Sequence, residues 1–281
     1  MDQGVREPIV AGAFYPGTRT DLSASLSALF GDGLRGRFTP LPTPFGLISP
    51  HAGYPYSGPT AAAGYRDVAA EGRPDLVVIL GASHTGLGAP VSLDDHAAWR
   101  TPFGDLPVAL DAVRTLEAAG LPVDRSAFVR EHSIEVQLPF LQFLWGSSLP
   151  IVPICIQPAR HEILVDVGST IADAVADRPA SLLVASSDFT HYESDETARA
   201  IDHRALEPIL TLDSPRFFSL CIEEGLTICG AGAIVALIAA SRRLGLSNAE
   251  LIDYSTSGDV TGDRSAVVGY AAVVLSRRDH G

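Results

Sequence analysis

The run Leu76-Val-Val-Ile-Leu-Gly-Ala-Ser-His84 decides the fold. Its apolar residues are continuous rather than alternating, as in a strand covered on both faces. It ends in small residues and a histidine, not in a hairpin turn. Two other runs share this form. Phe45–Ser49 leads through Pro50 to His51, and Ser181–Ser186 leads through Asp188 and Phe189 to His191. Further strands are expected over 149–156, 249–254 and 266–275.

Helical periodicity fills the gaps between strands. The expected helices cover 20–30 behind a Thr20 cap, 58–70, 106–119 ending at Gly120, and 131–144, where Pro139 must start a new turn or kink the helix. Others cover 161–176, 197–212, a start at Ser214-Pro215, and 231–244 ending at Gly245. Alternating strands and helices make the chain an α/β protein with a central, mostly parallel sheet and helices on both faces. The last strand is a candidate antiparallel partner, since 253–264 reads as a turn. With no long linker, repeat or low-complexity tract, residues 1–281 read as one domain.

Composition closes off several functions. The 281 residues carry a net charge of −13, with no basic stripe to meet phosphates, so neither nucleic acid nor an anionic membrane is an expected partner. All 20 basic residues are arginine, which excludes Schiff-base chemistry and a lysine base. The glycine-rich stretch around His84 is therefore not a P-loop. Cys155, Cys221 and Cys229 are too scattered for a disulfide framework, and the first two read as core thiols. The start of the chain does not read as a signal peptide, and no apolar stretch is long enough to span a bilayer. A reducing cytoplasm is the expected compartment.

Strand ends are where ligands collect in open α/β sheets, so His51, His84 and His191 are candidate site residues. Asp188 is a candidate to orient an imidazole, and His191 a candidate proton-transfer group. Cys229 lies in Thr227-Ile-Cys-Gly-Ala-Gly232 at the start of a helix, where thiols gain nucleophilic and metal-binding character. His132 and Glu135 share a helical face at metal-ligand spacing, although a helix-start cap is the simpler reading. Each residue taken alone also has a bland reading: a loop histidine, a capped turn or an inert core cysteine. His96, His161, His203 and His280 have no motif around them and read as solvated.

Together these segments resemble the Memo family, protein B of the AmmeMemoRadiSam system in prokaryotes. The matching motifs run in order: Ala11-Gly-Ala-Phe-Tyr15, Pro50-His-Ala-Gly-Tyr54, Leu80-Gly-Ala-Ser-His84, Trp99-Arg-Thr-Pro102, Glu131-His-Ser-Ile-Glu135, Ser186-Ser-Asp-Phe189, His191 and Cys229-Gly230. The resemblance implies a fold like that of class III extradiol dioxygenases. It implies a metal pocket formed by His51, His84 and Cys229, with His191 beside it as acid–base residue. Phe14 and Tyr15 fall at the family's pocket-lining aromatic pair, where a phenylalanine lacks the indole donor of the family's tryptophan. Tyr54, His132 and Arg264 are further expected substrate-side residues, and Arg100 is a second candidate for an anionic ligand.

The leading expectation is a metal-binding protein that carries out redox or oxygen chemistry on an unknown substrate. Two imidazoles and a thiolate favour iron(II) or copper, while zinc fits the same ligands. Three other readings stand beside it: an extradiol ring-cleaving dioxygenase, a binding module holding a peptide or small ligand, and a metal-free Cys229–His191 nucleophile pair. The resemblance also implies a functional link to a radical SAM protein.

Overall fold

The computed structural model describes residues 4–31 and 38–277. In chain order its elements are β1 (Val5–Arg6), α1 (Arg19–Phe30), β2 (Phe45–Ser49), α2 (Tyr54–Glu71), β3 (Leu76–Ala82), β4 (Val91–Leu93), β5 (Ala98–Thr101), β6 (Gly104–Pro107), α3 (Leu110–Ala118), α4 (Leu138–Trp145) and β7 (Ile151–Ile156). Then come α5 (His161–Ala174), β8 (Ser181–Ser186), β9 (His191–Glu193), α6 (Asp195–Leu210), α7 (Ser214–Glu223), α8 (Ala231–Arg243), β10 (Asn248–Thr256), α9 (Ser257–Thr261) and β11 (Val267–Ser276).

The main sheet runs β10-β11-β2-β8-β3-β7-β4. Its centre, β2-β8-β3-β7, is parallel, as the continuous apolar runs require. The edges are not. β11 pairs antiparallel with both β10 and β2, and β4 pairs antiparallel with β7. The sheet is therefore mixed, a parallel core between antiparallel edges, and the antiparallel last strand is as expected. The smaller sheet β1-β5-β6 stands apart and went unread in the sequence because its strands are so short.

Helices cover both faces, as two neighbouring residues of β2 show. A side chain at Gly46 would meet Leu237 and Ser241 of α8, whereas Leu47 reaches Gly64 of α2. Adjacent strand residues point to opposite faces, so α2 and α8 lie on opposite sides. α5 packs against α8, while α1 and α4 pack against α2. Every residue of β2, β3, β7 and β8 is buried.

Several boundaries moved for local reasons. α1 is capped by Thr18, whose side chain accepts from Asp21 N–H, not by Thr20. α2 starts early because Pro55 suits a first helical turn. Leu106 belongs to the β5–β6 hairpin, so α3 begins only at Leu110. The helix expected over 131–144 is an irregular segment, a 3₁₀ turn at Glu135–Gln137, and then α4, with Pro139 in the first turn. None of the described helices is long and apolar enough to cross a membrane.

Candidate metal centre

The parallel strands end level with one another. Ser49 of β2 lies opposite Ser186 of β8, and Leu80 of β3 opposite Ala185. The loops after β2, β3 and β8 therefore emerge along one edge and carry His51, His84 and Asp188–His191. Two close approaches complete the edge. A Cβ on Gly81 would lie 2.5 Å from Ile134 Cγ1, so glycine lets the Glu131–Ile134 segment lie on β3. A Cβ on Gly230 would lie 2.6 Å from the Ser186 carbonyl, so glycine lets the Cys229 loop settle on β8.

The result is a cluster in which donor atoms of His51, His84 and Cys229 all lie within 4.8 Å of one another. His51 is buried, and its Nε2 is 3.3 Å from Cys229 Sγ. Its Nδ1 is 2.9 Å from Ser186 Oγ. His84 is the more exposed ring, and its Nδ1 is 2.9 Å from Glu131 Oε1. Each imidazole thus has Nδ1 engaged by the protein and Nε2 left over, the usual preparation of a metal-ligating histidine. Metal bonds of about 2.0–2.3 Å place donors roughly 3.5 Å apart, so the spread of this cluster suits one ion after small side-chain movements.

Electrostatics separate the three histidines of the cluster. Burial, then the neighbouring His84, pulls His51 down to about 3, so it is neutral. Burial, with His51 and His84 close by, pulls His132 down to about 4. Burial also acts against a charged His84, but the Glu131 hydrogen bond and charge outweigh it and raise its pKa. Glu131 shows the converse. Burial alone would raise its pKa, yet hydrogen bonds and the charge of His84 bring it down to about 2. Its oxygens accept from His84 Nδ1 and from the N–H groups of His84 at 2.7 Å, His132 at 2.9 Å and Ser133 at 2.8 Å. Burial, then Asp188, pushes the Cys229 thiol above the usual thiol range.

His191 stands beside the cluster, on the short strand β9. Its Nδ1 is 2.9 Å from the Thr227 carbonyl, and its N–H donates to Thr227 Oγ1 at 2.8 Å. A carbonyl only accepts, so Nδ1 carries a proton, and Nε2 has no bonded partner among the described residues. This corrects the role expected of Asp188. Its carboxylate accepts from the His51 N–H at 2.7 Å, so it fixes the His51 loop while Thr227 orients His191. The Asp188 N–H also meets Cys229 Sγ at 3.2 Å, tying the loops together. Burial comes first in raising the Asp188 pKa, with the His51 N–H opposing it.

The remaining expected residues divide. His132 joins the cluster: its ring stacks on His84 at 4.5 Å, and Phe14 meets it edge-on at 4.8 Å. Glu135 does not pair with His132 but turns toward the N-terminal segment. Tyr15 and Tyr54 are core residues, with hydroxyls donated to Glu135 and to the Val136 carbonyl. A buried phenol needs such a partner, and these leave no hydroxyl donor for a ligand. Arg264 is paired with Asp195 and Asp259, and Arg100 with Glu7 and Asp105.

Glu131 and Thr227, which orient the site histidines, were missed in the sequence. The acidic residue directly before His132 was the available signal. Cys155 and Cys221 are buried free thiols pushed up to about 12 by burial, as core cysteines should be. His96, His161 and His203 are bonded to Asp94, Ser214 and the Arg199 carbonyl rather than merely solvated. His280 lies outside the described residues.

Comparison with known proteins agrees with this architecture. A protein of Escherichia coli K12, solved as the uncharacterized protein JW3007, superposes with a TM-score of 0.53 over 83% of this chain and 99% of its own. At 13% identity that likeness concerns the fold alone. A MEMO1 family protein of Methanosarcina acetivorans is 42% identical over 272 residues, covering 96% of this chain and 99% of that protein. Another, from Nitrosopumilus maritimus, is 40% identical over 275 residues, covering 96% and 98%. The model of the Memo-like protein family matches residues 6–274, and the chain belongs to the Memo family.

Proposed function

We propose that this protein binds one transition-metal ion through His51 Nε2, His84 Nε2 and Cys229 Sγ, and that it carries out redox or oxygen chemistry on a small molecule. The observation that carries the reading is the convergence of these donors, with both Nδ1 atoms already engaged. One thiolate and two imidazoles suit iron(II) or copper. Such an ion, when bound, supplies one-electron chemistry and polarises a coordinated ligand.

The other roles belong to the chain. Glu131 holds His84 in place and contributes negative charge beside it. His132 and Phe14 wall the cluster on the side of the N-terminal segment. His191, with Nε2 free, accepts a proton from a substrate group and returns it. Thr227 and Cys229 share one loop, so the proton acceptor and the thiolate ligand are positioned together.

The test is metal analysis of protein purified without oxygen. Near-stoichiometric iron or copper is expected in the native chain, with loss of most of it in Cys229→Ala and in His51→Ala. Unchanged metal content in both variants would sink the reading. Zinc alone, at full occupancy, would keep the site and remove the redox chemistry.

A further inference from the structure

Behind His51 lies a chain of neutral polar groups that the proposed chemistry does not use. His51 Nδ1 is 2.9 Å from Ser186 Oγ. Ser186 Oγ is also 2.7 Å from the Ser133 carbonyl and 2.8 Å from Gln137 Nε2. Gln137 Nε2 is 2.9 Å from the Pro50 carbonyl, and Gln137 Oε1 is 2.9 Å from the Tyr65 hydroxyl. Ser186 and Gln137 are fully buried, so water does not compete for these bonds.

Two carbonyls dictate every proton position in this chain. A carbonyl oxygen only accepts. The Pro50 carbonyl therefore requires the NH₂ end of Gln137 and forbids the flipped amide, which would set two oxygens face to face. The Ser133 carbonyl likewise requires the one hydroxyl proton of Ser186. That leaves Ser186 Oγ with lone pairs only. One receives Gln137 N–H, and the other must receive a proton from His51 Nδ1. No choice of hydrogen placement satisfies the network otherwise.

We propose that Gln137 and Ser186 form a neutral relay that locks His51 in its Nδ1–H tautomer, so that Nε2 faces Cys229 as a bare lone pair. His84 has its Nδ1 against a carboxylate, a device that adds charge. The relay does the same for His51 Nδ1 with neutral groups alone. Residue 137 thus positions a ligand it never touches. The value of the relay as a ligand-setting device rests on the metal reading above, whereas the tautomer itself does not.

The experiment separates the two. In the chelated, metal-free protein, ring ¹⁵N shifts of labelled histidine report each tautomer, with the His51 signals identified by their loss in His51→Asn. Native His51 is expected to show a single Nδ1–H species. Ser186→Ala removes the acceptor and is expected to give mixed tautomers. It should weaken cobalt(II) binding, measured by competition with a chelator, by about 10–100-fold, the usual effect of removing an orienting partner. Gln137→Leu should move both readouts the same way but less far, because the Ser133 carbonyl still claims the Ser186 proton. Tyr65→Phe should move neither, because Pro50 alone orients the amide. A native Nε2–H tautomer overturns the proposal without any variant, as does a Ser186→Ala protein that keeps the single Nδ1–H form. A native protein with the Nδ1–H tautomer that binds no metal keeps the relay and removes the metal reading instead.

Discussion

Glu131 and Glu135 lie one helical turn apart in sequence, and both are fully buried, yet they serve different partners. Glu131 faces the histidine cluster and accepts from His84 and from three backbone N–H groups. Glu135 faces the N-terminal segment. It accepts from Arg6 at 2.5 Å, from Tyr15 at 2.8 Å, and from Ile9 and Val10 N–H at 2.9 and 3.0 Å. Arg6 in turn donates to the Glu131 carbonyl at 2.6 Å and lies over the Trp99 ring. The difference is in the partner. Glu135 neutralises a permanent cation and holds a segment in place, whereas Glu131 holds an imidazole whose second nitrogen remains free for chemistry. One short segment therefore fastens the N-terminal strap on one side and builds the site on the other.

The sharpest way to break this comparison is to remove each carboxylate. Glu135→Ala leaves Arg6 buried without its counter-ion, and the expected loss of stability is about 3–5 kcal/mol by urea unfolding. The folded protein should bind metal about as well as the native chain. Pairing Glu135→Leu with Arg6→Met should regain most of the loss, since no charge is then left unpaired. Glu131→Gln is the next effect in size. It keeps shape but no longer forces His84 to present Nε2, so metal affinity should fall about 10–100-fold by chelator competition. Its stability cost should be smaller, about 1–3 kcal/mol. If Glu135→Ala weakens metal binding as much as Glu131→Gln does, the division of labour is wrong.

The same pair shows what the sequence could and could not reveal. His51, His84 and Asp188 were legible because each follows a continuous apolar strand, and parallel neighbours bring such ends together. Cys229 was legible from the glycines that follow it and from the family resemblance. Glu131 and Glu135 were misread because Glu131-His-Ser-Ile-Glu135 imitates the start of a helix. The chain is irregular there: Glu131 pulls three N–H groups and His84 around itself, and Pro139 delays α4. Thr227 was invisible for a related reason. It orients the His191 ring through a backbone carbonyl, which every residue type carries, while its hydroxyl fixes only the His191 N–H. The pairing of Arg264 with Asp195 and Asp259 was illegible because charge pairing across the fold leaves no local pattern. Tyr15 and Tyr54 drew attention as aromatics in matching motifs, but burial made them core.

A third buried carboxylate sharpens the comparison by lacking what the other two have. Asp202 accepts from Thr190 N–H at 3.0 Å and from the Tyr254 hydroxyl at 2.7 Å, with no cation bonded to it among the described residues. A Cβ on Gly269 would come within 1.9 Å of its Oδ2, so the carboxyl fills its niche. Burial is the first cause of its raised pKa, and the hydrogen bonds from Thr190 and Tyr254 only partly oppose it. The folded pKa therefore lies above the unfolded value, and the native state holds the proton more tightly. That contribution to stability is complete below the unfolded pKa of about 3.9 and is lost as pH rises through the folded value. Asp202→Asn stays neutral throughout and keeps one oxygen for Thr190 N–H. Its stability relative to the native chain should improve as pH rises from about 3 toward neutrality, read from urea midpoints at each pH. Parallel curves would mean that Asp202 is ionised without a cation, and that the bonded imidazole is not what keeps Glu131 charged.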